Sequence, residues 1–262
     1  MNSTIAILGG GNLGQAIASG LLSENFNPSD VVITRHKTEL LQSFKDQGVH
    51  ITSNNIEAVL NAHIVIIAVK PYRIAEVLQE VKSVLTADKL LISVVSDFSI
   101  AQIKTELTHH PVIFRAMPNT AASVNESMTC IASLDASEDD TNKVKKIFNA
   151  LGETVVINEQ LMDAATVLGA CGIAYVLRFI RGMIQGGIEI GFDAQTATQI
   201  ATQTVKGASE LLLQKGNHPE AEIDKVTTPK GCTIAGLNEM EHQGFSSALI
   251  KGIKTSFDNI SD

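Results

Sequence analysis

Six residues near the amino terminus constrain this chain more than any others. Gly9-Gly10-Gly11-Asn12-Leu13-Gly14 lies between an apolar run at 4–8 and a helical pattern at 15–22. In that position the first glycine permits a tight turn, Gly11 lets backbone approach a pyrophosphate, and Gly14 lets helix pack close to strand. The helix start then faces the anionic bridge. A lone G-x-G-x-x-G is a weak signal, but here it sits inside a complete βαβ unit, so a dinucleotide site is expected.

The rest of the first half agrees. Short apolar runs recur at 4–9, 31–35, 50–52, 62–69, 89–95, 112–117, 128–132 and 154–157, separated by amphipathic stretches. Uninterrupted apolar strands such as His63-Ile64-Val65-Ile66-Ile67-Ala68-Val69 are what a sheet buried on both faces requires. After about Asn158 strand-like runs vanish. Within 194–214 the apolar residues Ala197, Ile200, Ala201, Val205, Ala208, Leu211 and Leu212 recur at three- and four-residue steps, one face of a helix. Gly216-Asn217-His218-Pro219 stops it, and further helices are expected at about 233–243 and 245–259, separated by Gly244. The fold class expected is α/β: an N-terminal Rossmann-type doubly wound domain at 1–157, then an all-helical dimerisation domain at 158–262. Dimerisation is expected because the Ala- and Gly-rich helices between 164 and 191 are apolar around much of their circumference. About 100 residues offer little interior to hide them.

Charge and cysteine usage narrow the partners. A formal net charge of −8 argues against nucleic acid or an anionic membrane, since phosphate binding needs clustered Lys and Arg, so a small-molecule partner is expected. Met1-Asn2-Ser3 leads straight into an apolar run with no basic segment or cleavage site, from which a cytoplasmic protein is expected. The most membrane-like stretch, 169–192, is broken by Arg178, Arg181 and Glu189, and is read as a core or interface helix. Cys130, Cys171 and Cys232 are far apart and odd in number, so neither a disulfide framework nor a metal site is expected. The adjacent His109-His110 would point apart on regular structure and reads as a solvated loop.

Choice of cofactor is legible at the end of the second strand, where NAD-binding domains usually carry an acid for the ribose hydroxyls. Here stand Thr34-Arg35-His36-Lys37, a hydroxyl and two cations with no acid to repel a 2′-phosphate. NADP (as NADPH) is favoured and NAD stays open. Arg35 and Lys37 as ordinary solvated charges is the bland alternative.

Ala68-Val69-Lys70-Pro71, Met117-Pro118-Asn119-Thr120 and the long segment Asp224-Lys225-Val226-Thr227-Thr228-Pro229-Lys230-Gly231-Cys232-Thr233-Ile234-Ala235-Gly236-Leu237 resemble the pyrroline-5-carboxylate reductases, in order along essentially the whole chain. The resemblance implies reduction of the cyclic imine 1-pyrroline-5-carboxylate to L-proline with hydride from NADPH. It implies that Gly9, Gly11, Asn12, Leu13 and Gly14 cradle the pyrophosphate, that Thr34, Arg35 and Lys37 hold the adenosine end, and that Asn55 touches a ribose. Ala68, Val69, Lys70, Pro71, Met117 and Asn119 would frame the nicotinamide. Thr233 would hydrogen-bond the imine nitrogen, with Thr228, Gly231, Cys232 and Ile234 around the substrate. In similar enzymes the helical domain of an intertwined homodimer completes the site, and some members assemble five dimers into a decamer.

The residues of 228–234 have their own reading. Thr227 or Thr228 as a cap, Pro229 in a first helical turn and Gly231 exposing amides would offer unpaired N–H groups to a carboxylate, or would be a plain helix start. A threonine hydroxyl is a poor acid, so Thr233 is expected to position the imine and relay a proton from water. Three departures from the family pattern leave the exact ring open: Lys230 where a glycine is usual, Cys171 and Ile173 in a stretch that usually carries a proline, and Arg181 at a usually acidic position. A related cyclic imine carboxylate or a non-catalytic NADP-binding sensor are the alternatives. The β-hydroxyacid dehydrogenases share a similar plan but need a lysine where this chain has Val176, and no Lys or Asn occurs between Gly172 and Gly191.

Overall fold

The computed structural model describes residues 4–260. The first compact unit runs to Cys171 and is built on an eight-stranded sheet; the second begins at Gly172 and is helical.

The opening strand β1 (Ile5–Leu8) leads into helix α1 (Asn12–Ser23), then β2 (Val31–Thr34), α2 (Gln42–Asp46), β3 (His50–Thr52) and α3 (Asn55–Leu60). There follow β4 (Ile64–Ile67), α4 (Ile74–Val81), β5 (Leu90–Ser93), α5 (Ile100–Glu106) and β6 (Val112–Met117). The unit closes with β7 (Ser127–Ser133), α6 (Glu138–Asn149), β8 (Gly152–Val156) and the single turn α7 (Met162–Ala165). Sheet order is β3-β2-β1-β4-β5-β6-β7-β8; the first six strands are parallel and β7 turns antiparallel to β6. All eight expected strands form, with ends that match or shift by one or two residues: β1, β2, β4 and β5 are shorter than expected, and β7 is longer by one residue at each end.

Burial explains the pattern. Every residue of β1, β2, β4 and β5 is buried, because helices cover both faces of the parallel region. One apolar layer joins Ile5 and Ile7 to Ile17 and Leu21 of α1 and to Val144, Ile147 and Phe148 of α6. The opposite layer joins Ala6 and Leu8 to Val59 of α3, Val77, Leu78 and Val81 of α4 and Ile103 of α5. The outer β8 is largely exposed, as an edge strand can be. His109 and His110 are exposed in the bend before β6, as expected.

A buried ion pair, unmarked in the sequence, sits in this unit. Arg115 of β6 lies 3.5 Å from Glu159, with side chains only 6% and 14% exposed. The same carboxylate accepts the backbone N–H of Ile100 at the start of α5 (2.7 Å).

The second unit contains α8 (Gly172–Glu189), α9 (Ala194–Lys215), α10 (Pro219–Val226), α11 (Cys232–His242) and α12 (Phe245–Asp258). Two helices were expected after the 216–219 break, at about 233–243 and 245–259, and both form as α11 and α12; α10 before them was not expected. α10 starts at Pro219, with His218 at its N-cap accepting from the Glu220 N–H (3.3 Å) and Glu220 and Glu222 in its first turn. These are ordinary start signals that the stop signal masked. The expected helical stretch at 164–191 is interrupted by a π-helical segment, Thr166–Cys171, before α8. Its Gly169 carbonyl accepts from Asn119 Nδ2 (3.3 Å), an acceptor freed by the wider turn.

Within the second unit α8 packs on α9 through Ile184, Ala197 and Ala201. Tyr175 donates to Ser256 (2.7 Å), and Phe179 meets Phe245 ring to ring. Little else is covered: Val176, Leu177, Ile188, Ile190, Leu213 and Ile250 are all exposed. The helical stretch Glu159–Glu189 is long and apolar enough to cross a membrane by length and composition.

Candidate active site

Chain reversal between β1 and β4 makes a switch point, where neighbouring strands feed helices on opposite faces and leave a crevice at their carboxyl ends. The cofactor residues expected from sequence gather at this edge. Gly9–Gly14 follow β1, Thr34, Arg35 and Lys37 end β2, Asn55 opens α3, Ala68–Pro71 follow β4, and Met117 and Asn119 end β6.

The glycine turn is built from steric necessity. Gly9 has φ of +112°, and a Cβ on it would lie 2.5 Å from the Ala68 carbonyl oxygen. A Cβ on Gly14 would lie 2.1 Å from the Gly9 carbonyl oxygen, whereas one on Gly11 would meet nothing within 4 Å. Gly11 is the N-cap of α1 and supplies no side-chain cap, and the helix's own hydrogen bonding begins with Gln15 N–H to Gly11 O (2.9 Å). The helix therefore starts at Asn12, three residues before the sequence pattern, and the N–H groups of Asn12, Leu13 and Gly14 belong to the first turn, which has no helical acceptors. With the positive end of the helix dipole behind them, these amides fit a pyrophosphate.

A polar chain fixes the turn. Gly10 N–H donates to Thr34 O (2.7 Å) and Gly9 N–H to Thr34 Oγ1 (3.3 Å). Thr34 Oγ1 donates to Asn55 Oδ1 (2.6 Å), and Asn55 Nδ2 donates to Glu80 (2.8 Å). Thr34 is buried with its hydroxyl engaged in this chain, so it orients Asn55. Arg35 Nη1 donates to Gly10 O (2.6 Å), where Gln15 Nε2 also donates (3.0 Å). Lys37 is exposed at the loop after β2. Three supports went unread in the sequence: Gln15, which follows the motif directly as an ordinary helical residue, and Glu80 and Arg73, which lie far from it; Arg73 Nη1 donates to His36 Nε2 (2.9 Å).

Among the residues expected to frame a nicotinamide, Ala68 and Val69 are half-buried and Lys70 and Pro71 exposed. Met117 packs with Ala132 and Met162. Asn119 is buried; its Oδ1 accepts the Ala121 N–H (2.9 Å) and its backbone N–H donates to Ser127 (3.0 Å), so its amide shapes the loop after β6.

The segment 228–234 belongs to the helical unit, and its local geometry corrects the expected cap at Thr227 or Thr228 while the helix itself begins within one residue of the expected 233. Thr227 closes α10 with its hydroxyl on Asp224 O (3.1 Å). Thr228-Pro229-Lys230-Gly231 is a turn closed by Gly231 N–H to Thr228 O (2.9 Å), and α11 begins only at Cys232. Pro229 thus occupies the second position of a turn, which its fixed φ suits, and lies outside the helix. Lys230 has φ of +61°, a left-handed conformation that costs a side-chain-bearing residue about 1 kcal/mol and a glycine nothing. Gly231 is the N-cap with no side-chain cap; a Cβ there would lie 2.6 Å from Thr228 Oγ1. Cys232, Thr233 and Ile234 form the exposed first turn of α11, with Thr228 exposed beside it.

A glycine turn at the switch point of a doubly wound sheet, followed by an all-helical unit, defines an NAD(P)-dependent oxidoreductase. Known proteins narrow this. Residues 4–97 match the model described as NADP oxidoreductase coenzyme F420-dependent, and residues 159–261 match that for pyrroline-5-carboxylate reductase dimerisation. Pyrroline-5-carboxylate reductase 2 of Dictyostelium discoideum is 44% identical over 97% of this chain and 91% of its own length. Pyrroline-5-carboxylate reductase 1 of the same organism is 48% identical over 97% of the chain, which spans about half (48%) of that relative. The crystal structure of Plasmodium falciparum pyrroline carboxylate reductase with NADP bound superposes with a TM-score of 0.88 at 26% identity, covering 99% of this chain and 97% of that one. The chain belongs to the pyrroline-5-carboxylate reductase family.

Proposed function

We propose that this chain reduces 1-pyrroline-5-carboxylate to L-proline with NADPH, the last step of proline biosynthesis. The observation that carries the reading is the glycine turn at the switch point, with first-turn amides of α1 beside an acid-free, cationic end of β2, in a member of this family. Gly9, Gly11, Asn12, Leu13 and Gly14 hold the pyrophosphate through backbone. Arg35 and Lys37 attract the 2′-phosphate, Thr34 sets Asn55 toward a ribose, and Ala68, Val69, Lys70, Pro71, Met117 and Asn119 shape the nicotinamide end.

NADPH, when bound, supplies the hydride for the imine carbon. The chain's own part is to grip and orient the imine. The turn at Thr228, Gly231 and the first-turn amides of Cys232 and Ile234 receive the carboxylate, and Thr233 donates a hydrogen bond to the ring nitrogen, relaying a proton from water. Removing that hydroxyl is therefore expected to slow turnover without abolishing it. Thr233→Ala should lower kcat about 10- to 100-fold, the loss of one hydrogen bond to the reacting nitrogen, and leave the NADPH dissociation constant unchanged. Equal kcat in mutant and parent would remove Thr233 from the chemistry.

We put the functional division at 157/158, between the end of β8 at Val156 and the dimerisation-family match from 159, whereas the compact units part at Cys171 and Gly172. Exposed apolar residues along α8, α9 and α12 support a homodimer built through the helical half, and assembly of dimers into a decamer extends the same reading. A second copy over this surface also accounts for the apolar stretch Glu159–Glu189 without a membrane, consistent with a cytoplasmic enzyme. The excess of acidic residues disfavours nucleic acid.

A further inference from the structure

We propose that Arg73 is a positioning residue for the adenosine end of the cofactor site, acting through His36, and that the array Glu76–Arg73–His36 makes His36 a determinant of preference for a 2′-phosphorylated dinucleotide. The inference rests on the NADPH reading above.

Arg73 ends the short 3-10 turn after β4, its N–H donating to Lys70 O (2.9 Å). One edge of its guanidinium is committed: Nε and Nη2 both donate to the Glu76 carboxylate, at 3.2 and 3.1 Å. This fixes the planar fork and leaves Nη1 to donate to His36 Nε2 at 2.9 Å. A guanidinium carries donors only, so Nε2 accepts and the ring proton sits on Nδ1. His36 is thereby held in one tautomer, with an N–H donor to offer.

The loop that carries His36 is tied at three places. Arg35 N–H is bonded to Thr52 O of β3 (3.1 Å), Arg35 Nη1 to Gly10 O of the glycine turn (2.6 Å), and His36 to the β4–α4 turn through Arg73. Ordering a loop before the ligand arrives reduces the entropy lost on binding, and the gain falls on whatever group that loop contacts. In this fold the end of β2 faces the adenosine ribose. Pairing with Arg73 also holds the Glu76 carboxyl below its ordinary range and offsets its charge, so this nearby acid does not oppose a phosphate. Arg73 reaches this loop from 37 residues further along the chain.

The test uses the full-length enzyme, with NADPH and NADH as substrates and 2′,5′-ADP and 5′-AMP as competing fragments. Arg73→Ala should raise the KM for NADPH and the inhibition constant of 2′,5′-ADP about five- to tenfold, the scale of one charge-assisted hydrogen bond. It should leave kcat at saturating NADPH, the NADH KM and the 5′-AMP constant unchanged. Arg73→Lys should not rescue, because an ammonium cannot hold Glu76 and His36 with one planar fork. His36→Ala, at an exposed position and without touching Glu76, should reproduce the effect, and the double variant should add nothing to either single one. An equal rise for NADPH and NADH, no change in either, or additive effects would overturn the role of Arg73 while leaving the NADPH reading standing. A parent enzyme that shows no preference for NADPH would overturn both.

Discussion

Gly14→Ala is expected to cost at least about 100-fold in NADPH affinity and to destabilise the sheet unit, whereas Gly11→Ala loses affinity with no loss of stability. The difference lies in what each new methyl would meet. At Gly14 it falls 2.1 Å from the Gly9 carbonyl oxygen, a backbone atom that can retreat only if the β1–α1 turn opens. Overpacking of this kind costs about 3 kcal/mol or more, and opening the turn disperses the amides that hold the pyrophosphate. At Gly11 the methyl meets nothing within 4 Å of the chain itself and obstructs only the path assigned to the pyrophosphate. Fluorescence titration with NADPH beside a thermal melt of each variant separates the two. If Gly11→Ala bound NADPH as the parent does, the pyrophosphate would not cross that residue.

Glu159→Ala is expected to be among the most destabilising single changes outside the glycine turn, by about 3–5 kcal/mol. It would leave the Arg115 guanidinium buried without a counter-charge, in a site where its Nε already lacks a hydrogen-bond partner, and would strip the Ile100 N–H of its acceptor. For a chain of this size that corresponds to a melting temperature lower by roughly 10 °C. The double replacement Arg115→Met with Glu159→Leu should recover the part of the loss due to the unpaired charge, since two apolar groups need no partners, but not the part due to the Ile100 N–H. A fall of under about 2 °C for Glu159→Ala would mean that water already reaches the pair.

Much of the fold was legible because it follows from burial. A sheet covered on both faces demands continuous apolar strands, and β1, β2, β4 and β5 announce themselves that way. Local chemistry that competes with a stronger neighbour was harder to read. α10 was hidden because Pro219 stops one helix and starts the next, and the π-helical segment depends on the distant Asn119. α11 starts at Cys232, within one residue of the expected 233, but its cap was misread at Thr227 or Thr228 because proline suits both a first helical turn and the second position of a β-turn; the positive φ of Lys230 decides between them. At the candidate site, motif spacing identified the glycine turn and the cations after β2. Of their buttresses, Glu80 and Arg73 approach from other elements, where no spacing rule reaches across a sheet, while Gln15 directly follows the motif in α1 with nothing in its residue type to mark the bond to Gly10 O.

The proposed function requires hydride transfer from NADPH to a ring imine whose carboxylate is gripped at the start of α11. Steady-state NADPH oxidation by the purified chain tests it most directly, with 1-pyrroline-5-carboxylate set beside its 2-carboxylate isomer and the six-membered analogue. Oxidation should be matched by proline formation, with the highest kcat/KM for 1-pyrroline-5-carboxylate. NADPH binding without oxidation in the presence of every cyclic imine would contradict it.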